Sequence, residues 1–371
     1  MIELARGRLA LLGLGGVALL AGLIGALVLV GVGAPVGAGR LAASHGLLMT
    51  LGFLGTLIAL ERAVALGRVW GYLAPLATGL GGIVIVLGAA LSVAGALLGL
   101  GAVVFTALYV AFDRIERTLH TSIQAVGAVA WVVAMLLLLT GRTVGEIVPW
   151  LATFVVLTIC GERLELSRLV RLSPGARRAF VIFAALFLIG VVVSVALPDP
   201  GVRVAGIGLV ALALWLARND IARRTIRGTG LTRFVAASLL AGYVWLAVAG
   251  LAWFMFGAPA PGPARDASLH ALFLGFVMSM VFGHAPIILP AVLRVPLPYQ
   301  PAFYAHLVLL HAGLGLRVFV GDFGGLPDAV RLGGVLNVVA LLMFVASSAL
   351  STARGATADR LHAEARRAME S

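Results

Sequence analysis

Apolar runs of about 20 residues recur along the whole chain, and an α-helix needs about that length to cross the hydrocarbon core of a bilayer. The runs fall near residues 9–32, 41–60, 70–91, 93–112, 119–140, 144–166, 178–197, 201–217, 231–256, 267–293, 299–320 and 328–350. In lipid the backbone polar groups must be satisfied within each helix, so the pattern predicts an all-α polytopic membrane protein of about 12 transmembrane helices. Composition excludes a soluble domain: 61% of the residues are hydrophobic and 11% charged, where a soluble chain has roughly half and a quarter. Residues 1–352 read as one transmembrane helical domain and 353–371 as a charged cytoplasmic tail in which His362 is solvated. The first run is too long for a signal-peptide core and no cleavage site follows it, so it is expected to remain as a span. The third and fourth runs are parted by only Leu91 to Ala94.

All 27 basic residues are arginine, and the net charge is +12. Their placement assigns the sides of the membrane. With the N-terminus inside, the inner segments and the tail collect 21 arginines and the outer ones keep six, namely Arg40, Arg142, Arg203, Arg265, Arg317 and Arg331. Arginine excess marks the cytoplasmic side, so both termini are expected there. The same placement argues against a nucleic-acid partner, because the charge is spread between spans rather than gathered on one soluble surface. The partner is the lipid bilayer. A single cysteine, Cys160, excludes an intramolecular disulfide and any paired-cysteine redox or metal motif.

The second span opens with HGLLMTLGF from His45 and the tenth with HALFLGF from His270; each has a histidine at its outer end and a Gly-Phe pair further on. The second span ends IALERAVALGR and the sixth ICGERLELSR, which places Glu61-Arg62 and Glu162-Arg163 at similar inner positions. Spans two, six and ten are separated by four, which favours three pseudo-symmetric four-helix arcs over two halves of six.

Chemistry concentrates between Ser268 and Arg317, which holds four of the seven histidines. Ionisable groups inside a membrane are costly and usually functional. At 1.5 Å per residue, His45 and His270 lie at a common depth, about 5 Å below the outer interface. Two imidazoles at one depth on different helices suit axial ligation of one haem iron, which makes haem b the expected cofactor. Met49 and Gly52 follow His45 at i+4 and i+7, on its face, where a small residue would let a flat macrocycle approach. His270 and His284 differ in depth by about 21 Å, so they cannot serve one metal. His284, His306 and His120 reach comparable depths in the inner half and form a candidate site for copper or another transition metal. A polar or proton-handling cluster is the other reading of those three. His311 is about 140° round the helix from His306 and faces elsewhere. Arg317, near the outer end, is a candidate partner for a haem propionate. Glu61, Glu162 and Glu165 sit among arginines; Glu162, Arg163, Glu165 and Arg168 are expected to form a local charge network at helical spacing.

Twelve spans in three arcs, with an outer histidine opening spans two and ten, resemble subunit I of the haem-copper oxidase superfamily. The resemblance implies low-spin haem ligation by His45 and His270. The chain is more similar to NnrS, a shorter membrane family of that architecture associated with haem, copper and the response to nitric oxide. It departs from the oxidase pattern in having no histidine between His120 and His270, so the usual oxygen-reducing copper centre is not expected. The resemblance implies a haem-binding protein of the bacterial cytoplasmic (inner) membrane, in electron transfer or nitric oxide and metal stress, with an electron-transfer protein or quinol as redox partner. A proton-coupled secondary transporter using its intramembrane histidines is the alternative, and an assembly factor or metal chaperone the third.

Overall fold

In a computed structural model of the chain, the backbone is described for residues 2–33, 37–167 and 172–370, and side chains for 6–33, 37–167, 172–355 and 357. Twelve helices among these residues are long and apolar enough to cross a membrane. Spans 1 to 6 are Arg6–Leu29, Gly39–Leu66, Val69–Leu87, Leu91–Ile115, Leu119–Leu139 and Val144–Leu166. Spans 7 to 12 are Pro174–Val193, Pro198–Asn219, Gly230–Phe256, Pro263–Leu293, Phe303–Asp322 and Pro327–Gly355. No strand occurs among the described residues. The protein is a multi-pass α-helical membrane protein whose surroundings are lipid.

Local chemistry explains where the helices start and stop. Span 6 opens on a capping box, in which the Thr143 hydroxyl accepts from the Glu146 amide while the Glu146 carboxylate accepts from the Thr143 amide. Ser173 caps span 7 and Pro174 follows it at the first helical position, where a missing N–H costs nothing. The narrow gap between spans 3 and 4 lies earlier than the sequence indicates. The chain breaks at Gly88, whose φ of 79° is a left-handed conformation that glycine takes without strain, and span 4 starts at Leu91. The last helix runs unbroken from Pro327 to Glu370. The side chain of His362 lies outside the described residues.

Burial separates three spans from the rest. Over an 18-residue apolar stretch of each span, 2, 6 and 10 have 67%, 78% and 61% of the residues buried, more than any other. They are the three spans separated by four in the sequence, and they meet at the centre, which supports three arcs each contributing one inner helix. With twelve spans, the start of the first and the end of the last lie on one face of the bundle. Span 1 lies tightly on span 2 through glycines. A Cβ at Gly25 would stand 2.5 Å from the Leu41 carbonyl oxygen, and one at Gly22 would stand 2.6 Å from the Met49 sulfur.

The central helices are not regular. Leu48–Gly55 in span 2, His270–Val277 in span 10 and Leu316–Asp322 in span 11 are wound as π-helix. Each wide turn carries an extra residue and shifts the facing of everything after it; such segments gather at functional sites. Here one follows His45 by three residues, one begins at His270 and one contains Arg317.

Candidate functional site

His45 and His270 are brought together. Their ring centres are 6.4 Å apart and their planes lie within 15° of each other. Each ring is held by a backbone carbonyl. The Nδ1 of His45 is 2.8 Å from the Gly22 oxygen of span 1, and the Nδ1 of His270 is 2.8 Å from the Asp266 oxygen one turn earlier. A carbonyl has no hydrogen to give, so in each neutral ring Nδ1 carries the proton and donates. That leaves the Nε2 lone pair of both rings free, the arrangement typical of metal-ligating histidines. The close approach at Gly22 is what lets a carbonyl of span 1 reach His45.

Both rings line one cavity of about 710 Å³ in the outer half of the molecule. Its wall is mostly apolar, with Met49, Leu54, Phe273 and Met278 among its residues. Met49 stands where the sequence places it, but Gly52 does not. Gly52 turns toward spans 1 and 3, where a Cβ would meet Ala18 at 2.9 Å and Gly82 at 3.4 Å. The π-turn explains the difference: an i+7 residue shares a face in an α-helix and rotates off it when one turn is widened.

Arg317 is 8% exposed at its side chain and lines the same cavity. Its guanidinium is committed within the protein, since Nη2 donates to the Asp266 carboxylate at 2.6 Å. That carboxylate also approaches His270 Nδ1 at 3.3 Å. Asp266 thus joins span 10 to span 11. It is a site residue that the histidine pattern does not pick out, although Asp266 and His270 stand at i and i+4, the spacing of side chains that meet on a helix. Arg265 is another, with no such signal beside it. It lines the cavity beside Gly145 and forms no ion pair with a described residue. Asn337 donates to the Leu310 carbonyl, while its own side-chain oxygen is buried without a partner on the cavity wall.

The inner trio expected from the sequence does not converge. Among the described residues no three His, Cys, Asp or Glu side chains form a set able to hold a metal. His284 has both nitrogens engaged: Nδ1 donates to the Met280 carbonyl at 2.6 Å, and Nε2 accepts from Arg163 at 2.7 Å. His120 faces Thr118 at 3.1 Å and Glu165 at 3.8 Å. His306 is 2% exposed and ringed by Phe282, Phe303 and Phe344. Its Nδ1 is 3.4 Å from Ser347 Oγ and its Nε2 has no partner. Equal depth puts the three at one level but says nothing about direction round each helix, and direction separates them. His311 faces away from His306, as the helical angle indicates, and its Nδ1 accepts from the Trp245 indole at 2.9 Å.

The inner-end acids are linked across spans as well as along one. Arg62 donates to Glu61 at 2.9 Å and to Glu162 of span 6 at 2.7 Å. With Arg163 on His284, these contacts tie spans 2, 6 and 10 together. Arg168, expected to extend the network from Glu165, lies outside the described residues.

No curated protein matches the chain. The family model for a domain of unknown function (DUF8744) matches residues 8–353. A match over nearly the whole transmembrane region settles the family: this chain is a member of DUF8744.

Proposed function

We propose that the protein is a haem-binding electron carrier of a bacterial cytoplasmic membrane, with His45 and His270 as the two axial ligands of one haem b. The observation that carries this reading is the pair itself: two imidazoles 6.4 Å apart, each oriented through Nδ1, on opposite helices of one apolar cavity. Imidazole nitrogens bind a metal at about 2.0–2.1 Å, which sets the ring centres of two ligands on one ion about 6 Å apart. The cavity of about 710 Å³ falls in the range of about 300–1,000 Å³ that holds small-molecule ligands. Arg265, without an ion-pair partner on the wall, fits an anionic propionate better than Arg317, which Asp266 already holds.

A haem held by His45 and His270 would supply one-electron transfer. The protein's part is to fix both rings, exclude water with its apolar wall and balance the charge near the outer interface. It is the reading that the sequence resemblance to the haem-copper oxidase and NnrS families implies. Three central spans at intervals of four also support it over a transporter of the major facilitator kind, which is built from two six-span halves.

Absorption spectra of the protein purified in detergent from haem-replete cells test the reading. A Soret band at about one haem per chain is expected, lost in both His45→Ala and His270→Ala. Protein without a Soret band, or a band that survives both substitutions, would refute it.

A further inference from the structure

At the inner end of span 2 a left-handed Gly67, with a φ of 68°, stops the helix, and Arg68 follows in extended backbone. The chain then winds through a 3-10 turn, Val69–Tyr72, that opens span 3. That turn lies close on span 4, for a Cβ at Gly71 would stand 2.8 Å from the Leu108 side chain. It thereby brings Arg68 and Trp70 to the end of span 4, where Arg114 stands in the last turn. The three side chains line one groove of about 540 Å³. Its floor is span 4, since Ala107, Val110, Ala111 and Arg114 are spaced i, i+3, i+4 and i+7 and share a helix face. Val110 is 49% exposed there and Trp70 39%, so the groove opens on the lipid-facing surface.

The charges define what the groove accepts. No acidic residue lines it among the described residues. Arg68 and Arg114 form no ion pair with a described residue, and the carboxylate next to Arg114 in sequence, Asp113, is taken by Arg117 at 3.2 Å. Fixing the inner side of the membrane needs arginines there, but not two of them turned to one groove. Two like charges so placed repel each other until an anion lies between them, and a guanidinium matches a phosphate through paired N–H groups. The surroundings decide which phosphate. The floor leading away from Arg114 is aliphatic and faces lipid, and an indole sits favourably at the headgroup level. A free phosphate would leave that floor uncovered, whereas an acyl chain covers it. A zwitterionic head would bring a cation of its own to the two arginines, and an anionic head does not.

We propose that this groove binds an anionic phospholipid, its phosphate held between Arg68 and Arg114 and an acyl chain lying along Ala107, Val110 and Ala111 of span 4. The site is built from the inner ends of spans 2, 3 and 4 and needs no occupant in the cavity of His45 and His270.

Native mass spectrometry of the full-length protein, titrated in detergent with phosphatidylglycerol or phosphatidylcholine, resolves protein carrying one lipid and tests the proposal. Phosphatidylglycerol is expected to bind roughly tenfold more tightly than phosphatidylcholine, and Arg68→Gln combined with Arg114→Gln to abolish that preference. Both arginines are exposed and unpaired, so this double variant should unfold at the temperature of the parent. Arg223→Gln combined with Arg224→Gln removes the same charge from exposed positions elsewhere on the inner side and should leave the preference intact. Ala107→Trp, at an exposed position on the groove floor, should weaken phosphatidylglycerol binding with both arginines in place. Glycerophosphoglycerol, the same head without acyl chains, is expected not to displace the lipid. Equal binding of the two lipids, a preference that survives loss of Arg68 and Arg114, or one lost equally without Arg223 and Arg224 would each overturn the proposal. So would unchanged binding in Ala107→Trp or displacement by the soluble head. If the Arg68 and Arg114 double variant fails to fold, the tryptophan variant and the soluble head still decide.

Discussion

Asp266 serves two partners, and its carboxylate, 3.3 Å from His270 Nδ1, touches both. Its backbone carbonyl holds the His270 ring, and its carboxylate holds Arg317 at 2.6 Å. Asp266→Asn keeps the first and weakens the second, leaving a guanidinium that is 8% exposed facing a neutral amide. The pair lies between a surface pair worth about 0–1 kcal/mol and a fully buried one whose disruption costs about 3–5 kcal/mol, because Asp266 itself is 36% exposed. A loss on the order of 2 kcal/mol is therefore expected in thermal unfolding of Asp266→Asn. Arg317→Met should lose a similar amount, and the double variant less than the sum, since the two groups act as one unit. Strict additivity would show that the pair carries no coupling. Depth along a helix is enough to match His45 with His270 from the sequence. The choice of Asp266 by Arg317 is not legible there, since it depends on how spans 10 and 11 turn toward each other.

Between residue and molecule stand the wide turns and the glycine contacts, and they differ in how readily a sequence reveals them. A π-turn shows itself only as a shift in the facing of polar and apolar residues. In Leu48–Gly55 every residue but one threonine is apolar or glycine, so the segment reads the same at either pitch. That is why regular helical spacing puts Gly52 on the cavity wall, whereas in the fold it packs against spans 1 and 3. The glycine contacts of span 1 follow a rule that can be tested without any ligand. At Gly25 the obstacle to a side chain is backbone, the Leu41 carbonyl, which cannot swing aside. Gly25→Val is expected to lower stability by about 1–3 kcal/mol, as overpacking does. It should also pull Gly22 away from His45. At Gly13 nothing lies within 4 Å of a Cβ, and Gly13→Ala should be neutral or slightly stabilising, by up to about 1 kcal/mol, because alanine is the better helix former. Thermal unfolding in one detergent compares the two; similar losses at both positions would mean that span 1 does not pack on span 2 in this way.

At the scale of the whole molecule, the three central spans are tied at their inner ends by charge. The sequence places Glu61-Arg62 and Glu162-Arg163 at matching positions, and each pair reads naturally as a neighbour contact. In the fold Arg62 also reaches across to Glu162, and Arg163 reaches span 10, so the repeat works by exchanging partners between arcs. The arrangement makes the two ends of the Arg62–Glu162 contact unequal. Removing Glu162 leaves Arg62 with Glu61, a satisfied pair. Removing Arg62 leaves two carboxylates whose oxygens stood 2.9 and 2.7 Å from the same nitrogen, now facing each other without a cation between them. Their side chains are only 22% and 18% exposed, so water cannot fully replace it. Glu162→Gln should therefore cost about 1–2 kcal/mol, the loss of one charged hydrogen bond, and Arg62→Met about 3–5 kcal/mol, the cost of stranding buried charge. Unfolding temperatures of the two variants measured in nanodiscs resolve this. If Glu162→Gln proves the more damaging, Arg62 is held chiefly by span 6, and Glu61 contributes nothing to joining the arcs.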